Sequence, residues 1–133
     1  MNTQIISYMT NFKAILAVDF DLTICDSNYP KLGDEIQNAG YYIRKLVKEG
    51  YGIIINTCRE GFPLTDGVIW LHRNGIPYHY INCNFPHIIM EYGADCRKIS
   101  ADLYIDDKQL GGLPSWKVIY EAIIEKFEPG KKI

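Results

Sequence analysis

The sequence contains no long hydrophobic run. Its apolar stretches, such as residues 14–18 and 52–55, are far shorter than the roughly 20 apolar residues that a membrane-spanning helix needs. The N-terminus also lacks a basic segment ahead of the Ile5-Ile6 pair, which an export signal would carry. We therefore expect a chain that neither crosses a membrane nor is exported.

An excess of positive charge is missing as well. Lys and Arg number 14 against 16 Asp and Glu, so the formal net charge is -2, and no run of Lys and Arg is longer than two residues. The ten tyrosines and two tryptophans are not interleaved with basic residues, as a base-stacking surface would be. Long nucleic acid is thus excluded as a partner, and an anionic substrate would need a local binding site.

Cysteine is sparse, and its spacing excludes two kinds of site. The four cysteines stand singly, without a CxxC pair, so neither a zinc site nor a disulfide framework is indicated. The three histidines share no metal-binding spacing either. We expect reduced thiols and a cytoplasmic location.

The sequence does contain an alternation of strand and helix patterns within a single domain. Its 133 residues, 47% of them hydrophobic, suffice for one core, with residues 1–13 and 128–133 at the periphery. Apolar runs followed by polar side chains predict buried parallel strands over residues 14–18, 51–55, 78–81 and 101–105. Helical spacing predicts helices over residues 36–47, around 68–71, and over 116–127 after Pro114.

This alternation predicts an α/β fold. We expect a doubly wound, Rossmann-like parallel sheet of four to five strands with helices on both faces. Ligands bind to such sheets at the carboxyl ends of the strands. The side chains that directly follow the predicted strands are therefore the candidates for a functional site.

Two acidic motifs occupy such positions, Asp19 with Asp21 after the first strand and Asp106 with Asp107 after the fourth. In the first motif, one carboxylate can attack a substrate or bind a metal, while the other exchanges protons with a leaving group. Carboxylates gathered at one edge repel one another unless a cation compensates, and Mg²⁺ is the natural choice. Each motif taken alone also fits a solvated acidic turn.

Thr57 and Lys98 complete the pattern. Thr57, after the second strand, offers a hydroxyl to a phosphate oxygen, and Lys98, ahead of the fourth, offers a positive charge. Either residue alone is equally well explained as a strand-end residue or a surface lysine. Taken together, the motifs resemble those of the haloacid dehalogenase superfamily over residues 14–127, and they read Asp19-Phe20-Asp21-Leu22-Thr23, Ile53-Ile54-Ile55-Asn56-Thr57, Lys98 and Tyr104-Ile105-Asp106-Asp107.

That resemblance implies a magnesium-dependent phosphatase and a role for each matched residue. Asp19 is the nucleophile, Asp21 is the general acid and base, and Lys98 neutralises charge during catalysis. The implied metal site uses Asp19, the main-chain carbonyl of Asp21, Asp106 and Asp107, with Asp107 aligned as the direct ligand. The implied phosphate-binding residues are Phe20, Thr57 and Lys98.

The resemblance also implies a member without a cap, the separate domain that usually sets specificity in the superfamily. Residues 24–51 and 82–97, where a cap is usually inserted, are too short to hold one. We expect hydrolysis of a phosphate monoester or anhydride, such as a nucleotide or another small phosphate ester, through an aspartyl phosphate. Specificity would come from residues 24–35, including Tyr29-Pro30, from a second copy of the chain covering the open site, or from a large substrate.

Two other functions fit parts of the pattern. A receiver-like domain also accepts a phosphoryl group on an aspartate and uses an acidic pair, a threonine and a lysine. Its acidic pair follows the first strand and its lysine the last, which is the reverse of the order in this chain. A regulatory module that binds metal or phosphate without efficient turnover would not need Asp21.

Overall fold

Strands and helices alternate along the chain. A computed structural model describes residues 11–133, so residues 1–10 of the expected N-terminal extension lie outside the described part. The elements are β1 (Ile15–Val18), α1 (Ala39–Lys48), β2 (Gly52–Ile55), α2 (Gly61–Arg73), β3 (Tyr80–Ile81), α3 (Pro86–Tyr92), β4 (Leu103–Ile105) and α4 (Trp116–Phe127).

The four strands form one parallel sheet in the order β3-β2-β1-β4. Leu16 of the central strand β1 lies opposite Ile53 of β2 on one side and Leu103 of β4 on the other. The chain runs outward from β1 through β2 to β3 and then returns to β1's other side for β4. The sheet is therefore doubly wound, as predicted, and its winding direction changes between β1 and β4.

Helices cover both faces of the sheet because alternate residues of each strand point to opposite sides. Leu16 and Ile53 face a large core to which α1, α2 and α4 contribute buried side chains. Ile15 and Ile54 face a smaller core, closed by Phe85 and by a side chain of α3. The near-continuous apolar character of β1 and β2 follows from this burial on both faces.

The helix boundaries differ from the prediction in ways that have local causes. The apolar period begins at Ile36, but α1 starts only at Ala39, because the preceding residue Asn38 has a left-handed backbone conformation with φ of 66°. α2 begins at Gly61, well ahead of the predicted segment, and its exposed first residues show no apolar period. Pro86–Tyr92, for which no helix was predicted, form a short helix, α3, which opens with Pro86 in its first turn.

Strand β3 is shorter than predicted because a side chain enters the hydrogen-bond ladder. The His79 N–H donates to the Ile53 carbonyl at 2.9 Å. The His79 ring in turn accepts the Ile53 N–H at its Nδ1 atom, at 3.0 Å. The ring nitrogen thus takes the place of a main-chain acceptor, and the regular strand is reduced to Tyr80–Ile81.

Two further findings concern membrane-spanning helices and inserted domains within residues 11–133. No helix there has the length and apolar character needed to cross a membrane. The chain between β1 and α1 is a loop, and α3 is the one helix between β3 and β4, so these described intervals contain no inserted domain.

Candidate active site

Three carboxylates converge where the winding direction of the sheet changes. Asp19 follows β1, while Asp106 and Asp107 follow β4. The Asp19 N–H donates to the Ile105 carbonyl at 2.9 Å, which extends the pairing of the two strands to the site. One carboxylate oxygen from each aspartate lies within 4.8 Å of the other two. The first and last predicted motifs therefore meet at one edge of the sheet.

Thr23 links these two motifs through its buried hydroxyl. Its Oγ1 donates to Oδ2 of Asp19 at 3.0 Å and accepts the Asp107 N–H, also at 3.0 Å. The Thr23 carbonyl accepts the indole N–H of Trp116 at 2.9 Å, and both residues are buried. The helix α4 therefore anchors the residue that sets the distance between Asp19 and Asp107.

The electrostatics of the cluster favour a bound cation. Burial, a hydrogen bond from Asp107 and the charge of Asp106 raise the pKa of Asp19 from 3.8 to about 7. Carboxylates that repel each other in this way are stabilised by a shared proton or by a positive ion. The donor set is purely oxygen and fits a hard divalent ion such as Mg²⁺.

Asp106 and Asp107 differ in what else they contact. Oδ1 of Asp106 accepts the Lys108 N–H at 2.9 Å, and the Asp106 N–H donates to Oε1 of Gln109 at 3.3 Å. These bonds commit Asp106 to the turn that follows β4. Asp107 instead contacts the Asp19 carboxyl, and its main-chain N–H is held by Thr23.

Asp21, the second carboxylate of the first motif, is paired with Arg59 rather than with the cluster. Nε of Arg59 lies 2.9 Å from Oδ2 of Asp21, and Nη2 lies 2.7 Å from Oδ1. Oδ1 also accepts the Ser27 hydroxyl at 2.5 Å. Partial burial opposes ionisation of Asp21, but the bonds from Arg59 and Ser27 outweigh it and lower the pKa of this carboxyl.

Arg59 itself is 2% exposed. Its third side-chain nitrogen, Nη1, donates to main-chain carbonyls. Nη1 donates to the Pro30 carbonyl at 3.2 Å and to the Pro63 carbonyl at 3.0 Å. Its guanidinium carbon lies 5.2 Å from the ring centre of Phe20 and 5.0 Å from that of Tyr29. The side chain therefore ties together Asp21, the loop after β1 and the start of α2.

Thr57 and Phe20, two of the predicted phosphate-binding residues, each lie two residues beyond a strand end, and neither is among the residues that line the cavity over the cluster. Oγ1 of Thr57 accepts the Arg59 N–H at 3.1 Å. The Asn82 side chain holds the main chain of Thr57 through bonds of 2.8 and 2.7 Å. The Phe20 ring is buried against Trp70, and within residues 11–133 its main-chain N–H has no protein acceptor.

An open cavity of about 550 Å³ lies over the carboxylates, and Lys98 does not line it. Lys98 lines a smaller cavity, where its ammonium lies 5.4 Å from the ring centre of Tyr104. Lys108 is the lysine in the wall of the larger cavity. The residues that line the larger cavity are Asp19, Asp21, Leu22, Ser27, Tyr29, Cys58, Arg59, Asp106, Asp107 and Lys108.

Sequence reasoning gave no role to Arg59, Thr23 or Ser27. Thr23 lies inside the quoted first motif and Arg59 lies two residues after Thr57, so proximity to the motifs was the available signal. Ser27 carries no such signal, since it reaches Asp21 only because the loop folds back.

The sheet and its winding define a doubly wound, Rossmann-like α/β fold. A proposed 3-deoxy-D-manno-octulosonate 8-phosphate phosphatase from Vibrio cholerae shares this fold, with a TM-score of 0.50 at 13% identity over 100% of this chain and 94% of that one. A conserved protein from Bacteroides thetaiotaomicron is more similar, with 38% identity and a TM-score of 0.77 over 85% of this chain and 91% of that one. The chain belongs to the family of that Bacteroides protein.

No protein-family model matches the sequence, and no curated protein matches it.

Proposed function

We propose that this protein is a divalent-metal-dependent phosphatase that uses Asp19 as its nucleophile. The observation that carries the proposal is the convergence of Asp19, Asp106 and Asp107 within 4.8 Å, in an open cavity that Asp21 also lines. The pair Asp19 and Asp21 supplies the two functions that phosphoryl transfer through an acyl phosphate needs, a nucleophile and a proton carrier.

Asp19, Asp107 and the main-chain carbonyl of Asp21 would hold the metal, with Asp106 supporting it. We assign Asp107 as the direct ligand of the acidic pair, because one carboxylate oxygen of Asp106 already accepts the Lys108 N–H. When bound, Mg²⁺ would neutralise charge on the phosphate oxygens and on the clustered carboxylates.

In the first step an Asp19 oxygen attacks phosphorus, and the bond from phosphorus to the ester oxygen breaks. The leaving oxygen keeps that electron pair and takes a proton from Asp21, which has to bind that proton beforehand although Arg59 and Ser27 lower its pKa. In the second step a water oxygen attacks the phosphorus of the acyl phosphate, and Asp21 accepts a proton from that water. Phosphate leaves, the Asp19 carboxylate is restored, and Asp21 again holds the proton it gave up.

The chain's own residues favour this division of roles. Thr23 fixes the Asp19 carboxylate by a hydrogen bond, while Arg59 and Ser27 fix the Asp21 carboxylate separately. Two carboxylates held by different partners can act in different chemical steps without rearranging, and such positioning accounts for much of the rate in phosphoryl transfer. The fold shared with a protein described as a phosphatase supports the same reaction class.

The test separates the two carboxylates with an activated substrate, such as acetyl phosphate or an aryl phosphate, in the presence of Mg²⁺. Asp19→Asn should abolish both turnover and any covalent intermediate. Asp21→Asn should still phosphorylate Asp19, because a good leaving group needs no proton, and should then stall after one burst of product. Rapid-quench mass spectrometry would detect the acyl phosphate on Asp19.

Two outcomes of this experiment would contradict the assignment. A phosphorylated residue other than Asp19 would remove the proposed nucleophile. Loss of the burst in both variants would remove the separation between nucleophile and proton carrier. A wild-type protein that becomes phosphorylated but turns over only very slowly would support the receiver-like alternative instead.

A further inference from the structure

Tyr29 lies at the tip of a hairpin in the wall of the cavity that contains Asp19. The Asn28 N–H donates to the Lys31 carbonyl at 3.0 Å, and the Lys31 N–H donates back to the Asn28 carbonyl at 2.9 Å. Tyr29 and Pro30 are therefore the two residues of a tight turn. The backbone bonds fix where the Tyr29 ring is presented.

One face of the Tyr29 ring is already occupied. The guanidinium carbon of Arg59 lies 5.0 Å from the ring centre, and Nη1 of Arg59 donates to the Pro30 carbonyl next to it. Arg59 is 2% exposed, whereas Tyr29 is 59% exposed. The ring thus covers the same arginine that holds Asp21, and its second face is open.

The cavity wall contains one exposed apolar side chain besides Tyr29. Leu22 lines the same cavity and is 46% exposed. The side-chain nitrogens of Arg59 use four of its five N–H groups on protein acceptors, so Arg59 offers a substrate at most one donor. A flat ring of a leaving group could stack on the open face of Tyr29.

We propose that the open face of Tyr29 stacks against the leaving group, and that the site therefore selects phosphate monoesters of flat aromatic or heteroaromatic alcohols and nucleosides. This inference rests on the proposed function, because it names the substrate class of the same site. The buried cation beneath the ring makes the platform rigid, since the Tyr29 ring cannot tilt inward without meeting Arg59.

Matched substrates test the inference without changing the scissile bond. Benzyl phosphate and cyclohexylmethyl phosphate both release a primary alcohol, but only the first carries a flat ring. Adenosine 5′-monophosphate and ribose 5-phosphate share the leaving hydroxyl, and only the first carries a base. We expect kcat/KM to favour the flat member of each pair by about tenfold, as stacking on one tyrosine allows.

Substitutions at Tyr29 then assign the preference to this ring. Tyr29→Leu should lower the ratio of kcat/KM between flat and non-flat members to near one, and Tyr29→Phe should keep the wild-type ratio. Tyr29→Trp should keep or raise it, and binding of adenosine 5′-monophosphate should quench the fluorescence of the introduced indole. Tyr41→Leu is the matched control, since Tyr41 is 55% exposed on α1 and does not line the cavity.

The outcomes distinguish this inference from the proposed function. If the wild type hydrolyses none of the four substrates with Mg²⁺, the proposed function fails. If it hydrolyses them without preference for flat groups, or if Tyr29→Leu leaves the preference intact, the proposed function stands and the role of Tyr29 is overturned. A thermal melt of each variant checks that an altered ratio comes from a folded protein.

Discussion

Arg59 and Asp21 form a two-nitrogen ion pair whose cationic partner is almost completely buried. Nε and Nη2 of Arg59 lie 2.9 and 2.7 Å from the two carboxylate oxygens. The Arg59 side chain is 1% exposed and that of Asp21 is 24% exposed. The carboxylate proposed to carry protons is therefore held by a group that substrate cannot displace without uncovering a buried charge.

Replacing Arg59 should impair catalysis through Asp21. We expect Arg59→Met to lower the free energy of unfolding by about 2 kcal/mol, less than for a fully buried pair because Asp21 is partly solvated. Turnover of alkyl phosphates should fall about 100-fold. Arg59→Lys keeps the charge but not the two-point geometry, and should recover little of that turnover.

A double-mutant cycle tests whether Arg59 acts through Asp21. The further loss of turnover caused by Arg59→Met should nearly vanish in an Asp21→Asn background, because the group that Arg59 positions is already gone. Equal losses in both backgrounds would instead indicate a purely structural arginine. Arg44→Met is the control, since within residues 11–133 the side-chain bonds of Arg44 go to the carbonyls of Asn74 and Gly75 at the surface.

Metal binding should be measurable without any substrate. Mg²⁺ at about 100 times its Kd should stabilise the wild type by about 2.7 kcal/mol, seen as a rise in the melting temperature. Asp107→Asn should remove this rise and leave the metal-free protein as stable as the wild type or more so, because it relieves repulsion with Asp19. Hydrolysis of an aryl phosphate should likewise stop on exhaustive treatment with EDTA.

Asp66→Asn provides the comparison for the metal experiment, since Asp66 is an exposed residue of α2 away from the cluster. Its melting temperature should rise with Mg²⁺ as in the wild type. A rise that is unchanged in Asp107→Asn would show that the ion binds elsewhere.

Lys108, in the wall of the cavity, and Lys98, outside it, make a further prediction. The ammonium of Lys98 lies over the Tyr104 ring, a contact that stabilises an exposed lysine by only about 0.5–1 kcal/mol. The Lys98 side chain can therefore leave the Tyr104 ring at little cost. We expect Lys98→Ala to lower turnover by about 100-fold or more in a folded protein, and Lys108→Ala to lower it less. The reverse order of effects would move the charge-neutralising role to Lys108.

The fold was largely predictable because its signals are local. Each buried strand is a short apolar run, and each run ends in polar side chains where the sheet meets solvent. The start of α2 was not predictable, since its first turn is exposed and has no apolar period. The length of β3 depends on a histidine side chain that enters the hydrogen-bond ladder, which no propensity describes.

The site likewise contains residues that the sequence could predict and residues that it could not. Asp19, Asp106 and Asp107 were predictable as neighbours because they follow strands that pair in parallel. Arg59 could not be assigned, because its role depends on burial between Phe20 and Tyr29, which lie far from it in sequence. Tertiary packing, rather than any short pattern, determines which basic residue meets Asp21.

His79 gives the fold a dependence on pH that is separate from the active site. Burial lowers the pKa of its ring below 6.5. Nδ1 must also be unprotonated to accept the Ile53 N–H. The ring packs against Phe12 and Phe85, and the titratable groups that share its cavity are Tyr80 and His87.

We therefore expect the free energy of unfolding to fall as the pH drops below about 6.5. In that range the unfolded chain binds a proton at His79 that the folded chain does not, and the loss ends only when the folded ring is protonated too. Urea denaturation between pH 7.5 and 5.5 measures the slope. His79→Asn should reduce it, because an amide oxygen can accept the Ile53 N–H without titrating, whereas His72→Asn, at an exposed residue of α2, should not. Equal slopes in the wild type and His79→Asn would show that this histidine does not couple protonation to folding.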